Sequence, residues 1–491
     1  MRKLIGSCLF LLISHCVFGQ NNDFKTGLIF DENRYQALPS VVYDYGDGSK
    51  GAELPIEVSL KKWVPKIQFQ DEIASCVGWS IGYGCLSIMN AKLKNWTNLQ
   101  KITDEAFSAL FIYNQVNKRQ SCDYGIFISD AVDFLEKNGI CKSIDFDYPK
   151  NNCQRQPSPS LIKAAKKVKI KKVVKVFEKD DSPEKKIEKI KINLAEGFPV
   201  VIGLDIQPNF KTLKDEYWVP DPDYTSQERD GHAVVIIGYD QYKDAFEIMN
   251  SWGTKWGNEG FCWIRFSDIG KFTWSGYRFI LDEADVTETI IKKDLESYKG
   301  HFQFKKFNRE DYEKPDFYTY PVQKVNNYTY TTSKNDWKIN DVYRLFVKEA
   351  QANRFVYVFS IDEKGSEIHW PRMEEKKTNS TANLASALIA FNEVKITIPG
   401  IKRMLYKQIK GDDNIIILYA YNEISDFEEK VKKVENTKGT IQERFLAGFS
   451  DIIIPSQKVN YSSNEMKFTT DVATSKRNVI PMILKLKDTT N

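Results

Sequence analysis

Three separated segments carry side chains that could work as one nucleophilic machine. Gln70-Asp-Glu-Ile-Ala-Ser-Cys76-Val-Gly-Trp79 offers an amide and a thiol; Gly231-His232-Ala233 offers an imidazole; Asn250-Ser-Trp252-Gly-Thr-Lys-Trp256-Gly-Asn-Glu-Gly260 offers a second amide beneath an indole. A thiol attacks a carbonyl once an adjacent base has taken its proton, and the tetrahedral oxyanion that follows needs fixed hydrogen-bond donors. Cys76 would be the nucleophile and His232 the base and acid. Asn250 would orient the imidazole, with Trp252 shielding that bond, and the Gln70 amide with the Cys76 backbone N–H would hold the oxyanion. A free thiol is only a few per cent ionised at neutral pH, so a helix N-terminus and a neighbouring imidazolium are expected to lower its pKa. Taken singly, each residue has an ordinary reading: a core cysteine, a satisfied structural histidine, turn or surface amides. Their joint occurrence favours chemistry, and His232 is the sole histidine between the leader and residue 300.

These groups need elements to position them. Val77, Ile81, Cys85 and Ile88 recur at helical intervals, with Gly78, Gly82 and Gly84 permitting close approach, which predicts a buried helix with Cys76 near its start. A second helix is expected at 129–138, with Ala131, Phe134 and Leu135 on one face. Residues 169–177 alternate as a strand, and Ser182-Pro-Glu opens a helix with serine as cap and proline in the first turn. Strand-like runs follow at 199–205, 233–239, 246–250 and 260–266. A helical half is thus joined to a strand-rich half, with the chemistry between them.

The order Gln, Cys, His, Asn, the Asn-Ser-Trp-Gly segment and the Gln70-to-Cys76 spacing resemble the papain-like cysteine peptidases. Family members place the histidine and asparagine about 130–150 residues after the cysteine; here both lie slightly farther on, as longer loops would allow. The resemblance covers about residues 50–285. It implies an α+β, two-lobed papain-like fold of a helical lobe and a β-barrel-like lobe, with catalytic Gln70, Cys76, His232 and Asn250 supported by Trp252. Cys122-Asp-Tyr124-Gly125 looks like the family's Cys-Asn-Gly-Gly loop, which makes Tyr124 and Gly125 substrate-binding candidates. Three departures stand out: Val77 replaces the usual tryptophan after the nucleophile, the glycine pair is reduced to Gly125, and Ile73 occupies the place of the usual partner of Cys122. The family's standard bridge therefore cannot form. Cys122, Cys141 and Cys153 are the candidates for disulfides, Cys122–Cys153 being the favoured pair, while Cys85 and Cys262 read as buried thiols.

The whole chain sets limits on this reading. At 491 residues, 42% hydrophobic and 28% charged, it is long enough for two or three domains of ordinary soluble composition. A net charge of +4 calls for neither nucleic acid nor membrane. Residues 1–19 combine a positive start, the apolar run Leu9-Phe-Leu-Leu-Ile13 and small residues before Gln20, the pattern of a secretory signal peptide and too short for a transmembrane helix. Residues 20–50 are expected to form an extended arm with turns, too short for a large inhibitory pro-segment. The peptidase domain is expected at 51–285, a charged linker at 286–320, and a β-rich accessory domain at 321–491, with strands near 342–347, 354–362, 394–399, 414–421 and 481–486 and helices at 427–434 and 439–449.

The function expected is a secreted bacterial cysteine peptidase, periplasmic or at the cell surface, acting on a peptide or protein substrate through a Cys76 thioester. It needs no cofactor or metal and binds no nucleic acid, and its C-terminal domain is offered to a cell-surface partner. Two alternatives remain: an amidase or transpeptidase on the same fold, and a catalytically inactive papain-like binding scaffold.

Overall fold

The computed structural model describes residues 24–41, 54–146, 152–224, 230–281, 298–307, 317–334, 336–362, 365–371, 373–374, 383–384, 387–389, 396–399, 404–407, 411–471 and 477–487. The leader at 1–19 lies outside them.

The helical lobe is organised around one long buried helix. Its first turn, Cys76–Gly78, continues as a π-helical stretch over Trp79–Leu86 and returns to α-helix at Ser87–Leu93. The expected glycines let neighbours in: a Cβ on Gly78 would stand 2.4 Å from the Ala109 carbonyl oxygen, so only glycine allows helix Ala109–Val116 this close. Helix Ile128–Asn138 matches its expected apolar face, burying Ala131 and Leu135. Cys122 and Cys153 form a disulfide with a sequence separation of 31, while Cys76, Cys85, Cys141 and Cys262 are free and buried. Closing a loop of that length restricts the unfolded chain by about 3–4 kcal/mol. The Cys122→Ser, Cys153→Ser double variant is expected to lose roughly that much stability, read as a lower urea midpoint at unchanged slope.

The second lobe is an eight-stranded sheet. Its strands run in the order Ile170–Lys175, Thr273–Leu281, Val200–Ile206, Asp230–Asp240, Ala245–Met249, Phe261–Arg265 and Tyr217–Trp218, with Glu57–Ser59 added along Asp230–Asp240. Pairing is antiparallel except at Tyr217–Trp218. Helix Pro183–Ala195 starts as its sequence predicts, the Ser182 side chain accepting from the Lys185 N–H.

Among the described residues the C-terminal region holds two seven-stranded sheets and a two-stranded pair, Met373–Glu374 with Asn383–Leu384. Tyr419 of one large sheet meets Tyr298, Phe302 and Phe468 of the other edge to face, which closes a sandwich core. Helices Phe427–Asn436 and Ile441–Phe449 pack on Phe359 through Phe427 and Phe449. The expected linker at 286–320 is corrected here: Tyr298–Phe307 is a strand inside the sandwich, flanked by Val342–Glu349 and Met466–Thr470. Its buried Tyr298, Gly300, Phe302 and Phe304 alternate with Lys299, His301 and Gln303, a period-2 pattern that the charged residues obscure.

The two regions share contacts. Val41, Val174, Ile192 and Ile280 join the sandwich's apolar cluster, and Lys171 donates to the Asn353 (3.3 Å) and Tyr421 carbonyls. The N-terminal arm is also more structured than its sequence suggests. Leu28–Ile29 pairs in parallel with Ile126–Phe127, and Glu32–Ala37 is a helix capped by Asp31. Among the described residues no helix is long and apolar enough to cross a membrane.

Candidate active site

Each element delivers its side chain to the meeting line of the two lobes. Cys76 is the first residue of the buried helix, which packs on strand Asp230–Asp240. His232 lies near the start of that strand, and Asn250 follows strand Ala245–Met249, which runs beside it. Asn250 is held there by its N–H bond to the Gly260 carbonyl, 3.0 Å. Gly260 has φ +92°, and a Cβ there would fall 2.5 Å from Ile67, so the turn that returns the chain to Asn250 requires glycine.

The imidazole is oriented by the asparagine. His232 Nε2 lies 2.8 Å from Asn250 Oδ1, and the Ser251 N–H donates to the same oxygen at 2.8 Å. Two donors fix which end of the amide faces the ring, so Nε2 carries hydrogen and the neutral imidazole presents a bare Nδ1. Nδ1 is buried without a hydrogen-bond partner among the described residues. Trp252 stacks on the ring with centroids 4.3 Å apart and shields the His232–Asn250 bond from water.

Gln70 is fully buried. Its Oε1 accepts from the Ser251 hydroxyl at 2.6 Å, which turns Nε2 away from Ser251; that nitrogen donates to the carbonyls of Ile73 and Lys25, both at 2.9 Å. Ser251 therefore orients two site residues, the amide of Gln70 through its hydroxyl and Asn250 through its N–H. Ser251 belongs to the Asn-Ser-Trp-Gly segment, but nothing in the sequence ties its hydroxyl to Gln70.

The arm runs along these groups. The Lys25 carbonyl takes hydrogen bonds from Gln70 Nε2 and from Trp252 Nε1, 3.2 Å. Phe24 stacks on Trp252 at 5.0 Å. Gly27 lies against Ala74 and Gly125, and its carbonyl accepts from the Ile126 N–H at 2.9 Å. Gly125 thus borders a chain segment through its backbone, whereas Tyr124 is exposed, with the Arg119 guanidinium 4.2 Å over its ring.

Burial changes the electrostatics expected from sequence. Desolvation pushes the Cys76 thiol up to about 11, against opposing backbone hydrogen bonds at Ala233 and Gly27, and pushes His232 down to about 4, against its bond to Asn250. Burial thus favours a neutral thiol at Cys76 and a neutral imidazole at His232, not the lowered thiol pKa anticipated. An apolar, water-free surrounding disfavours both charged forms.

The two lobes, with thiol, imidazole and amides gathered at their junction, define a papain-like fold. Residues 60–272 match the family model of the papain family cysteine protease. The chain is 29% identical over 190 residues to an uncharacterized peptidase C1-like protein of Acanthamoeba polyphaga mimivirus, covering 38% of this chain and 60% of that protein. It is 33% identical over 84 residues to cathepsin L of Sarcophaga peregrina, covering 16% of this chain and 24% of that protein. Among solved structures, xylellain, a cysteine protease from Xylella fastidiosa, aligns at TM-score 0.38 and 22% identity over 51% of this chain and 98% of that one. The chain thus spans less than two thirds of the length of each of these two sequence relatives.

Proposed function

We propose that this protein is a secreted bacterial cysteine peptidase that cleaves peptide bonds through a thioester on Cys76. The observation that carries this reading is the His232 Nε2 to Asn250 Oδ1 bond, locked by the Ser251 N–H, which leaves Nδ1 as the ring's only free base. Nδ1 takes the proton of Cys76 as Sγ attacks the peptide carbonyl carbon. Gln70 Nε2 and the Cys76 N–H donate to the oxyanion, and collapse expels the amine, which leaves with the proton from His232. His232 then removes a proton from water, which hydrolyses the thioester and restores the thiol. Gly125 lends backbone to the substrate, with Tyr124 at the rim. Secretion is supported by the leader at 1–19 and by the Cys122–Cys153 disulfide, which an oxidising compartment permits. The β-rich C-terminal region would bind a cell-surface partner.

The test uses the chain carrying Gly27→Val, because no side chain fits between Gly27 and Ala74. It is incubated with a defined peptide mixture and a primary amine, and products are read by mass. Hydrolysed products with new amino termini are expected. Products capped by the amine would assign transpeptidation instead, and no product from a folded chain would leave a binding scaffold.

A further inference from the structure

The β-sandwich holds a cavity of about 440 Å³ that both of its large sheets line. Strands Val342–Glu349 and Leu405–Tyr406 wall it on one side. Arg354–Ile361, Ser366–Trp370 and the first residue of Asp413–Ala420 wall it on the other. Its volume falls within the range of ligand pockets, about 300–1,000 Å³. None of the residues that line it belongs to the cleft at Cys76.

Tyr343 is the most telling group in this wall. The residue is 2% exposed, and its ring packs on Phe304 at 5.3 Å and on Trp337 at 5.8 Å, so the hydroxyl end is what reaches the cavity. That hydroxyl makes no hydrogen bond among the described residues. A buried phenol ordinarily has a partner, and the cavity is where one would sit. Burial raises the Tyr343 pKa far above the usual tyrosine range, and the Asp413 and Glu367 carboxylates raise it further. The phenol therefore stays neutral beside two negative charges.

The remaining polar groups set the charge that the cavity accepts. Asp362, Glu367 and Asp413 are all in its lining, and no lysine or arginine is. Lys407, which follows Tyr406, donates to the Gly411 carbonyl at 2.6 Å. The His369 ring is held at 2.8 Å by the Ser360 hydroxyl, and the Gly365 N–H donates to Asp362 at 3.1 Å, which fixes both side chains on the wall. Carboxylates set in low-dielectric walls focus a negative potential that repels anions and draws cations. They do not form a metal centre: among the described residues no group of three His, Cys, Asp or Glu side chains could hold a metal ion. Ile361, Met404 and Leu405 add apolar surface between the acids. Acids spread along such a wall suit an extended cation, whose head meets carboxylate and whose stem meets Met404 and Leu405.

We propose that the sandwich carries a binding site for a small organic cation, an amine or guanidinium on a short apolar stem, with Asp413 and the Tyr343 hydroxyl at its floor and the more exposed Glu367 at its rim. The cation donates to the Asp413 carboxylate and to the phenol oxygen. This site stands apart from the chemistry at Cys76 and does not rest on the peptidase reading.

The experiment is calorimetric titration of the full-length chain with agmatine, which carries a guanidinium and an amine on a short alkyl stem. Glutarate serves as an anion of similar length and calcium chloride as a metal ion. Wild type is compared with Tyr343→Phe, which keeps the ring and removes the hydroxyl, and with the surface change Glu367→Gln, the folding of each being checked by circular dichroism. Saturable one-to-one binding of agmatine in the millimolar range is expected, with none of glutarate. Tyr343→Phe is expected to weaken it by about 10-fold or more, as loss of a hydrogen bond to a charged group does. Glu367→Gln is expected to weaken it by about 2–5-fold, the effect of a partly exposed charge pair. Absence of saturable agmatine binding to folded wild type would overturn the site, as would equal or tighter binding of glutarate or calcium. Agmatine binding unchanged in both variants would place the cation elsewhere on the chain and overturn it as well.

Discussion

Alanine at position 76 is expected to lower peptide hydrolysis by about 10⁶-fold in the Gly27→Val background, and alanine at 232 by about as much. Removing a nucleophile or its base from a coupled pair costs nearly as much as removing both, because the remaining partner has no separate route to the product. The double variant should therefore be no slower than either single one, which distinguishes one catalytic unit from two independent contributions. The reasoning is geometric. His232 is buried with a single free ring nitrogen, and its other nitrogen is committed to Asn250. No second histidine lies in the described residues of the two lobes to take over. Steady-state kinetics on a fluorogenic peptide, with circular dichroism to verify folding, makes the measurement. Retention of more than about a hundredth of the activity in His232→Ala would remove the imidazole from the mechanism, since general acid–base catalysis contributes 10²–10⁴-fold even on its own.

The sequence made the candidate site residues legible because each stands in a dense local pattern. Asn250-Ser-Trp252-Gly and the turn glycines through Gly260 are short-range features, and the helix after Cys76 announces itself through Val77, Ile81, Cys85 and Ile88. Ser182 with Pro183 marked a helix start for the same reason: capping is decided by neighbours in the chain. What stayed hidden depends on residues far apart. Ser251 stands inside the Asn-Ser-Trp-Gly segment, but that its hydroxyl lands on Gln70 is seen only in the fold. Phe24-Lys-Thr-Gly27-Leu-Ile29 has no period and no motif, and Gly27 gains meaning only from Ala74 and Gly125. The sandwich strand Tyr298–Phe307 is a different case. Its alternation was present in the sequence, but interleaved lysines and a histidine made it read as charged linker.

Gln70→Ala is expected to reduce kcat by 10²–10³-fold, with little change in KM, when measured in the Gly27→Val background. Loss of one preorganised donor to a developing oxyanion has about this effect, and a donor that acts only on the tetrahedral species leaves ground-state binding alone. In this structure that amide donates to the Lys25 carbonyl at 2.9 Å. The same substitution therefore has an opposite consequence for the N-terminal arm. It removes a hydrogen bond that helps hold the arm, so Cys76 in an otherwise wild-type chain should alkylate faster even as turnover in the opened chain falls. Ser251→Ala should move both readouts in the same directions by smaller factors, because the hydroxyl at 2.6 Å from Oε1 orients the amide without touching substrate. A Gln70→Ala chain that kept its kcat would show that the amide serves only to seat Lys25, and the oxyanion would then rest on the Cys76 N–H alone.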